Sequence, residues 1–284
     1  MRGTLRRVVP RLLLPATAVY QRWRPGIRIL MYHRVVRGLP QDQLTVSPER
    51  FEEQMAVLAR TRRVMSLADA ALALGSGERQ AGAVVVTFDD GYRDNLTVAL
   101  PILEKYRIPA TIFVTTDFCD QVSSHPRYGE RAAGLHLNWD EVRELLRSPL
   151  ISIGSHTVSH PYLQRLDPEA ARREIGESRR RIEARIGRPV EFFCYPSGDF
   201  GEREMRYVQE AGYRAAVSVA PGLNRRATPR YALRRTEVTD RDGARELRAK
   251  LHGAFDPLHA LLHARRRREF DARRLGVPNG EIAS

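Results

Sequence analysis

The stretch Ala83-Val84-Val85-Val86-Thr87-Phe88-Asp89-Asp90-Gly91-Tyr92 limits this chain more than any other. Its β-branched run climbs a buried strand and delivers two adjacent carboxylates to the carboxyl end, where Gly91 lets the backbone turn. In αβ sheets and barrels the chemistry gathers at that end of the strands. Two neighbouring carboxylates cannot both be buried without compensation, because each loses its hydration. A divalent cation is the simplest compensating group, so the search turns to the other ligands.

Strands and helices alternate along the body. Ile27 to His33 reads as a short strand ending in a histidine. Ser47 caps a helix that Pro48 opens, with Phe51, Met55 and Leu58 on its face. A short strand at Val64 to Leu67 and a helix through Leu74 lead to the Asp-Asp strand. Beyond it come a helix over Leu96 to Tyr106, a strand over Ala110 to Thr116 and a long polar excursion over 117–138, a candidate active-site loop. Further strands are expected at Ile151 to His156, Glu191 to Tyr195, Ala215 to Val219 and Tyr231 to Val238, with helices at 139–147, 168–186 and 202–211 between them. This alternation predicts a parallel αβ body.

Three strand ends then carry polar groups: Asp89 with Asp90, His156 with His160, and the turn Pro196-Ser197-Gly198. Imidazole and carboxylate suit zinc and similar divalent metals. Two His and one carboxylate leave coordination positions open, as catalytic sites do, and the spare Asp can take a proton from water. Taken singly, Asp-Asp-Gly also reads as a helix cap with a turn, and a His pair four apart as surface decoration. Their joint placement at neighbouring strand ends favours a site.

Thr87-Phe88-Asp89-Asp90-Gly91 and His156-Thr157-Val158-Ser159-His160 resemble the first two signature motifs of the polysaccharide deacetylases, carbohydrate esterase family four. The surrounding Ile108-Pro109-Ala110-Thr111, Trp139-Asp140-Glu141-Val142 and Ile153-Gly154-Ser155 are similar too. The resemblance covers residues 27–240 and implies a distorted (β/α)7 barrel, of α/β class, that removes N-acetyl or O-acetyl groups from glycans. It also implies Asp89 as general base, Asp90, His156 and His160 as metal ligands, zinc as the expected metal and an N-acetylated glycan as substrate. In the third motif Cys194-Tyr195-Pro196-Ser197-Gly198 replaces the usual Arg-x-Pro-Tyr-Gly; Ser197 still offers a backbone N–H for an oxyanion. The missing Arg normally pairs with the base. Arg235, from another strand end, is the candidate replacement, and an ordinary surface charge is its alternative reading.

The family's general-acid histidine normally sits near the C-terminus, where nothing matches. His252, His259 and His263 lie on a tail helix beyond the barrel. His33 resembles the acid of the permuted deacetylases, which include those acting on poly-N-acetylglucosamine, in which this motif stands at the front. The alternative for His33 is a core histidine bonded to a carbonyl. Cys194 reads as a packing residue. Two further functions remain open: an O-acetyl esterase using the same site, and a silent glycan-binding domain.

The net charge of +13 belongs to the ends. Residues 1–28 hold seven Arg and no acid, and residues 241–284 hold nine Arg and one Lys against six acids, so the body between them is nearly balanced. That argues against a nucleic-acid partner and for flanks that meet an anionic surface; an Arg-rich composition is the bland alternative. Three parts are expected: a basic amphipathic segment over 1–26, the catalytic domain over 27–240 and an Arg-rich helical extension over 241–284. The first reads either as peripheral contact with an anionic membrane or as packing on the body, with Pro10 and Pro15 against one continuous helix. It lacks the pattern of a secretory signal, so the expected location is cytoplasmic, with association at the inner membrane surface.

Overall fold

The computed structural model describes residues 26–38, 44–76, 82–125 and 134–274, with side chains as far as residue 265. The basic segment expected over 1–26 lies almost wholly outside the described residues. In chain order the strands are β1 (Arg28–Tyr32), β2 (Arg34–Val35), β3 (Thr45–Val46), β4 (Arg63–Val64), β5 (Ala83–Phe88), β6 (Ala110–Val114), β7 (Ile151–Ser155), β8 (Phe192–Cys194), β9 (Ala215–Val217) and β10 (Arg235–Glu237). Seven of them run in the order β10-β1-β5-β6-β7-β8-β9, every pair parallel. Strand β4 lies along the start of β5, and β2 pairs separately with β3. The chain leading into β10 bridges back to β9: Leu233 N–H donates to Ala216 O at 2.9 Å, and Ser218 N–H to Leu233 O at 2.8 Å. The result is a nearly closed seven-stranded parallel barrel wrapped by helices, the α/β architecture that the resemblance implied.

The apolar residues divide by strand parity, because successive side chains point to opposite faces. Leu30, Tyr32, Val84, Val86, Phe88, Ile112 and Val114 pack with the helix residues Phe51, Met55, Leu103, Val142 and Ile175. Ile29, Val85, Phe113, Phe192, Cys194, Val217 and Leu233 form the second cluster, inside the barrel. The interior parity of β1 and β5 runs on through Thr87 to Asp89 and His33, and register pairs Ile29 with Arg235. One alternation therefore sends His33, Asp89 and Arg235 toward the same space.

Gly154 on β7 shows how tight that interior is. A Cβ there would lie 2.4 Å from the Phe113 ring, which is itself fully buried. Replacing Gly154 with Ala forces the ring to shift, and overpacking of this kind costs about 1–3 kcal/mol. Chemical denaturation of the Gly154→Ala variant should show a loss in that range; an unchanged midpoint would mean that the ring has room to move.

Several local expectations need correction. Ser47 stands at the helix N-cap position but makes no capping bond: its hydroxyl and its N–H both donate to Asp240 Oδ1, at 2.6 and 2.9 Å. The hydroxyl is held as a donor to the Asp240 carboxylate, and no first-turn N–H donates to its oxygen. The helix expected over Leu96 to Tyr106 begins as a π-turn at Asn95–Ala99 and becomes α-helical only at Leu100–Tyr106. Pro101 has no N–H, so the turn ahead of it widens, and Leu100 N–H reaches Asn95 O. The polar excursion contains most of a short helix, Thr116–Cys119, and its described residues include the buried Phe118, Cys119, His136 and Leu137. The last strand is shorter than Tyr231 to Val238.

The tail is packed on the barrel through Phe255. Leu247, Leu251 and Phe255 are buried, and Arg28 makes a bidentate pair with Asp256 while donating to Thr236 Oγ1 at 2.7 Å. Beyond that point the tail helix leaves the apolar side chains of Leu261 and Leu262 exposed.

Candidate active site

Asp89 follows the last residue of β5 and is 3% exposed. Its carboxylate accepts two hydrogen bonds of 2.6 Å from Arg235, one from each terminal nitrogen. Arg235 is fully engaged: Nη1 also donates to Thr87 Oγ1 at 3.2 Å, Nη2 to Cys194 Sγ at 3.1 Å and Nε to Ser218 O at 2.9 Å. A guanidinium carries five N–H donors, and these five acceptors account for all of them. The surface-charge reading of Arg235 is overturned, since the residue is 1% exposed. Burial opposes ionisation of Asp89, but the Arg235 charge and its hydrogen bonds outweigh it and hold the carboxyl below its ordinary value. Cys194 fills the space at the motif position where an Arg was expected, and burial pushes its thiol well up, so it stays protonated.

Asp90 is turned the other way, with φ at 68°. Its Oδ1 is buried without a hydrogen bond, and the nearest groups are His160 Nε2 at 3.3 Å and His156 Nε2 at 3.4 Å. Burial opposes its charge too, yet the facing imidazoles keep this carboxyl well below the usual range. His156 Nδ1 lies 2.8 Å from Cys194 O, an acceptor only, so Nδ1 carries the proton and Nε2 is left for a ligand. Burial lowers the His156 pKa, and the charges of Asp90 and Asp89 more than restore it.

The donor chemistry of these three residues, and the spacing of Asp90 from each ring nitrogen, suit a divalent cation. Bonds of about 2.0–2.1 Å in a tetrahedral site place donors about 3.3–3.4 Å apart, the separation found between Asp90 and each imidazole. An orphaned buried carboxylate oxygen facing two ring nitrogens is otherwise costly. A second grouping of metal-type donors, Asp89 with His156 and Cys194, is already served by the Arg235 charge. His252, His259 and His263 enter no metal-type cluster among the described residues; His252 Nε2 instead meets Arg62 Nη2 at 2.8 Å.

His33 Nε2 lies 3.9 Å from Asp89 Oδ2, and its Nδ1 is buried without a partner. Its carbonyl accepts from Asn95 Nδ2 at 2.9 Å. Ser197 is exposed at the turn after β8, with φ at 54°. Backbone strain gathers here. Asp90, Thr157, His160 and Ser197 all hold positive φ, and for the β-branched Thr157 at 70° that is costly. The loop 157–160 is held in this shape from outside: Glu174 accepts from the N–H groups of Val158 and Ser159 at 2.9 and 3.0 Å and from Ser159 Oγ at 2.8 Å.

Sequence reasoning missed Glu174, His125 and His136. Glu174 is one acid among many on a charged helix, so nothing marks it. The two histidines lie in the polar excursion, which has no periodicity to interpret; their one signal was the residue type. His136 is buried between the rings of Tyr92 and Phe118, with centroids at 4.7 and 4.4 Å. Burial pushes both His125 and His136 down to about 4, so both are neutral at pH 7.

The comparisons with known proteins agree with this geometry. The sequence model of the family described as polysaccharide deacetylase matches residues 76–216. YxkH of Bacillus subtilis, a candidate polysaccharide deacetylase, is 30% identical over 213 residues, which is 74% of this chain and 71% of that protein. The poly-β-1,6-N-acetyl-D-glucosamine N-deacetylase of Escherichia coli K12 is 34% identical over 83 residues, 28% of this chain but only 12% of its own length. Among solved structures, the Streptococcus pyogenes deacetylase PplD in complex with acetate superposes with a TM-score of 0.71 at 25% identity, covering 80% of this chain and 98% of that one. IcaB from Ammonifex degensii matches in fold, with a TM-score of 0.67 at 23% identity over 80% of this chain and 97% of that one. With the barrel, the paired aspartates and the two-histidine loop all in place, this chain belongs to the polysaccharide deacetylase family.

Proposed function

We propose that the protein is a metal-dependent hydrolase that removes N-acetyl groups from an amino-sugar polysaccharide or glycan precursor. The observation that carries this reading is the unequal treatment of two adjacent carboxylates. Asp89 is neutralised by Arg235, whereas Asp90 Oδ1 makes no hydrogen bond and faces the ring nitrogens of His156 and His160.

Asp90, His156 and His160 would hold the cation, and zinc suits their donor set. Such a cation, when bound, supplies a Lewis acid that polarises an acetyl carbonyl and acidifies water beside it. Asp89 accepts the proton of the attacking water. It can do so because Arg235 keeps it ionised and fixes the plane of its carboxylate. The Ser197 N–H donates to the developing oxyanion. His33, facing Asp89 from the adjacent strand, delivers a proton to the departing amine. The name of the Escherichia coli relative, an N-deacetylase, favours an amide rather than an ester as the bond cleaved.

Acetate release tests this directly. The zinc-loaded protein should liberate acetate from N-acetylglucosamine oligomers, and removing the metal with a chelator should abolish release. Release from O-acetylated sugars alone would make it an esterase. No release from either, with metal bound, would support the silent glycan-binding alternative.

A further inference from the structure

A second pair of imidazoles reaches this centre from the segment between β6 and β7. One donor atom each from Asp90, His125 and His160 lie within 4.8 Å of one another. The His125 ring meets the His160 ring edge-on at 5.2 Å, and His160 meets His156 likewise at 4.9 Å, so three imidazoles crowd around one carboxylate.

His125 is brought there by a brace. Its backbone N–H donates to His136 Nε2 at 3.2 Å, which makes Nε2 an acceptor and leaves the proton on Nδ1. That Nδ1 donates to Asp90 O at 2.9 Å. One buried imidazole thus ties the backbone of His125 to the backbone of Asp90. The tie is rigid, because Tyr92 and Phe118 clamp the ring of His136, and Leu137 N–H donates to Gly91 O at 2.9 Å. A residue that merely decorated the loop would need no such anchoring.

We propose that His125 is a fourth protein donor to the cation held by Asp90, His156 and His160, with His136 as its positioning residue. The inference rests on the metal centre proposed above and goes beyond it. Three protein donors leave a tetrahedral site open, whereas four close it. Substrate entry then requires His125 to withdraw or the coordination to grow to five, so the resting centre is capped by the protein itself.

Zinc-edge X-ray absorption on the full chain, loaded with one equivalent of zinc, counts imidazole ligands without any substitution. Three are expected in the wild-type protein and two in His125→Gln. Competition titration against a chromophoric chelator should show zinc affinity falling by about 10–100-fold in His125→Gln, as on loss of a partner at such centres. Two imidazoles in the wild type, with equal affinity in His125→Gln, overturn the proposal; a raised KM alone would then assign His125 to substrate contact. A wild-type chain that takes up no zinc overturns the metal centre and this inference together, so the two failures are distinguishable.

Discussion

Asp89→Asn should lose acetate release by about 10²–10⁴-fold, the contribution typical of a positioned general base, while retaining its metal. The amide has nearly the shape of the carboxylate but cannot take the proton of water. Asp90, whose orphaned oxygen faces His156 and His160, is untouched by the change, so metal content should stay at the wild-type level. The substitution also leaves Arg235 with a neutral partner in place of the carboxylate that accepts both of its 2.6 Å bonds, and some loss of stability should accompany the loss of rate. Turnover is compared by acetate assay and metal by elemental analysis on the same preparation. An active Asp89→Asn protein would remove Asp89 from the base role, and an inactive one that had also lost its metal would make it a ligand.

Arg235→Met should be nearly as damaging, for a different reason. It removes the charge but keeps most of the side-chain volume, so Asp89 stays buried without its counter-charge. Breaking a buried pair by removing one partner costs about 3–5 kcal/mol. The pH dependence follows from the same pair. In the intact site the Asp89 carboxyl lies below its ordinary value because Arg235 outweighs burial. Activity that needs the ionised carboxylate is therefore lost only as pH falls through that depressed value. Without Arg235, burial is unopposed by the guanidinium and the carboxyl rises, so the acid limb of kcat/KM should move to higher pH. An acid limb that stays in place would show that Asp89 does not control it.

Parts of this arrangement were legible in the sequence, for identifiable physical reasons. The run Ala83 to Phe88 announces a buried strand by composition, and Asp89, Asp90, His156 and His160 follow as residues at strand exits. The helix expected over 168–186 forms as Pro168–Ile186; the structure shows Asp167 accepting from Ala170 N–H at its start and Gly187 ending it at φ 66°. Arg235 could be named only as a candidate, because its partner lies 146 residues away and no local pattern encodes such a pairing. His125 and His136 were hidden in a stretch without periodicity, and their importance appears only once Asp90 folds beside them. Ser47 misled because its capping pattern is local, whereas the carboxylate of Asp240 that captures it comes from 193 residues on.

The pairing of Asp89 with Arg235 also sets an order on biogenesis. Translation at about 5–20 residues per second leaves the growing chain with Asp89, and without Arg235, for about 7–30 s. Once β6 has been made, β1, β5 and β6 can already pair, but sealing Asp89 inside them would bury a bare charge. The carboxylate is therefore held in water until the last strand arrives, and the mouth of the barrel is the last part of the protein to dry.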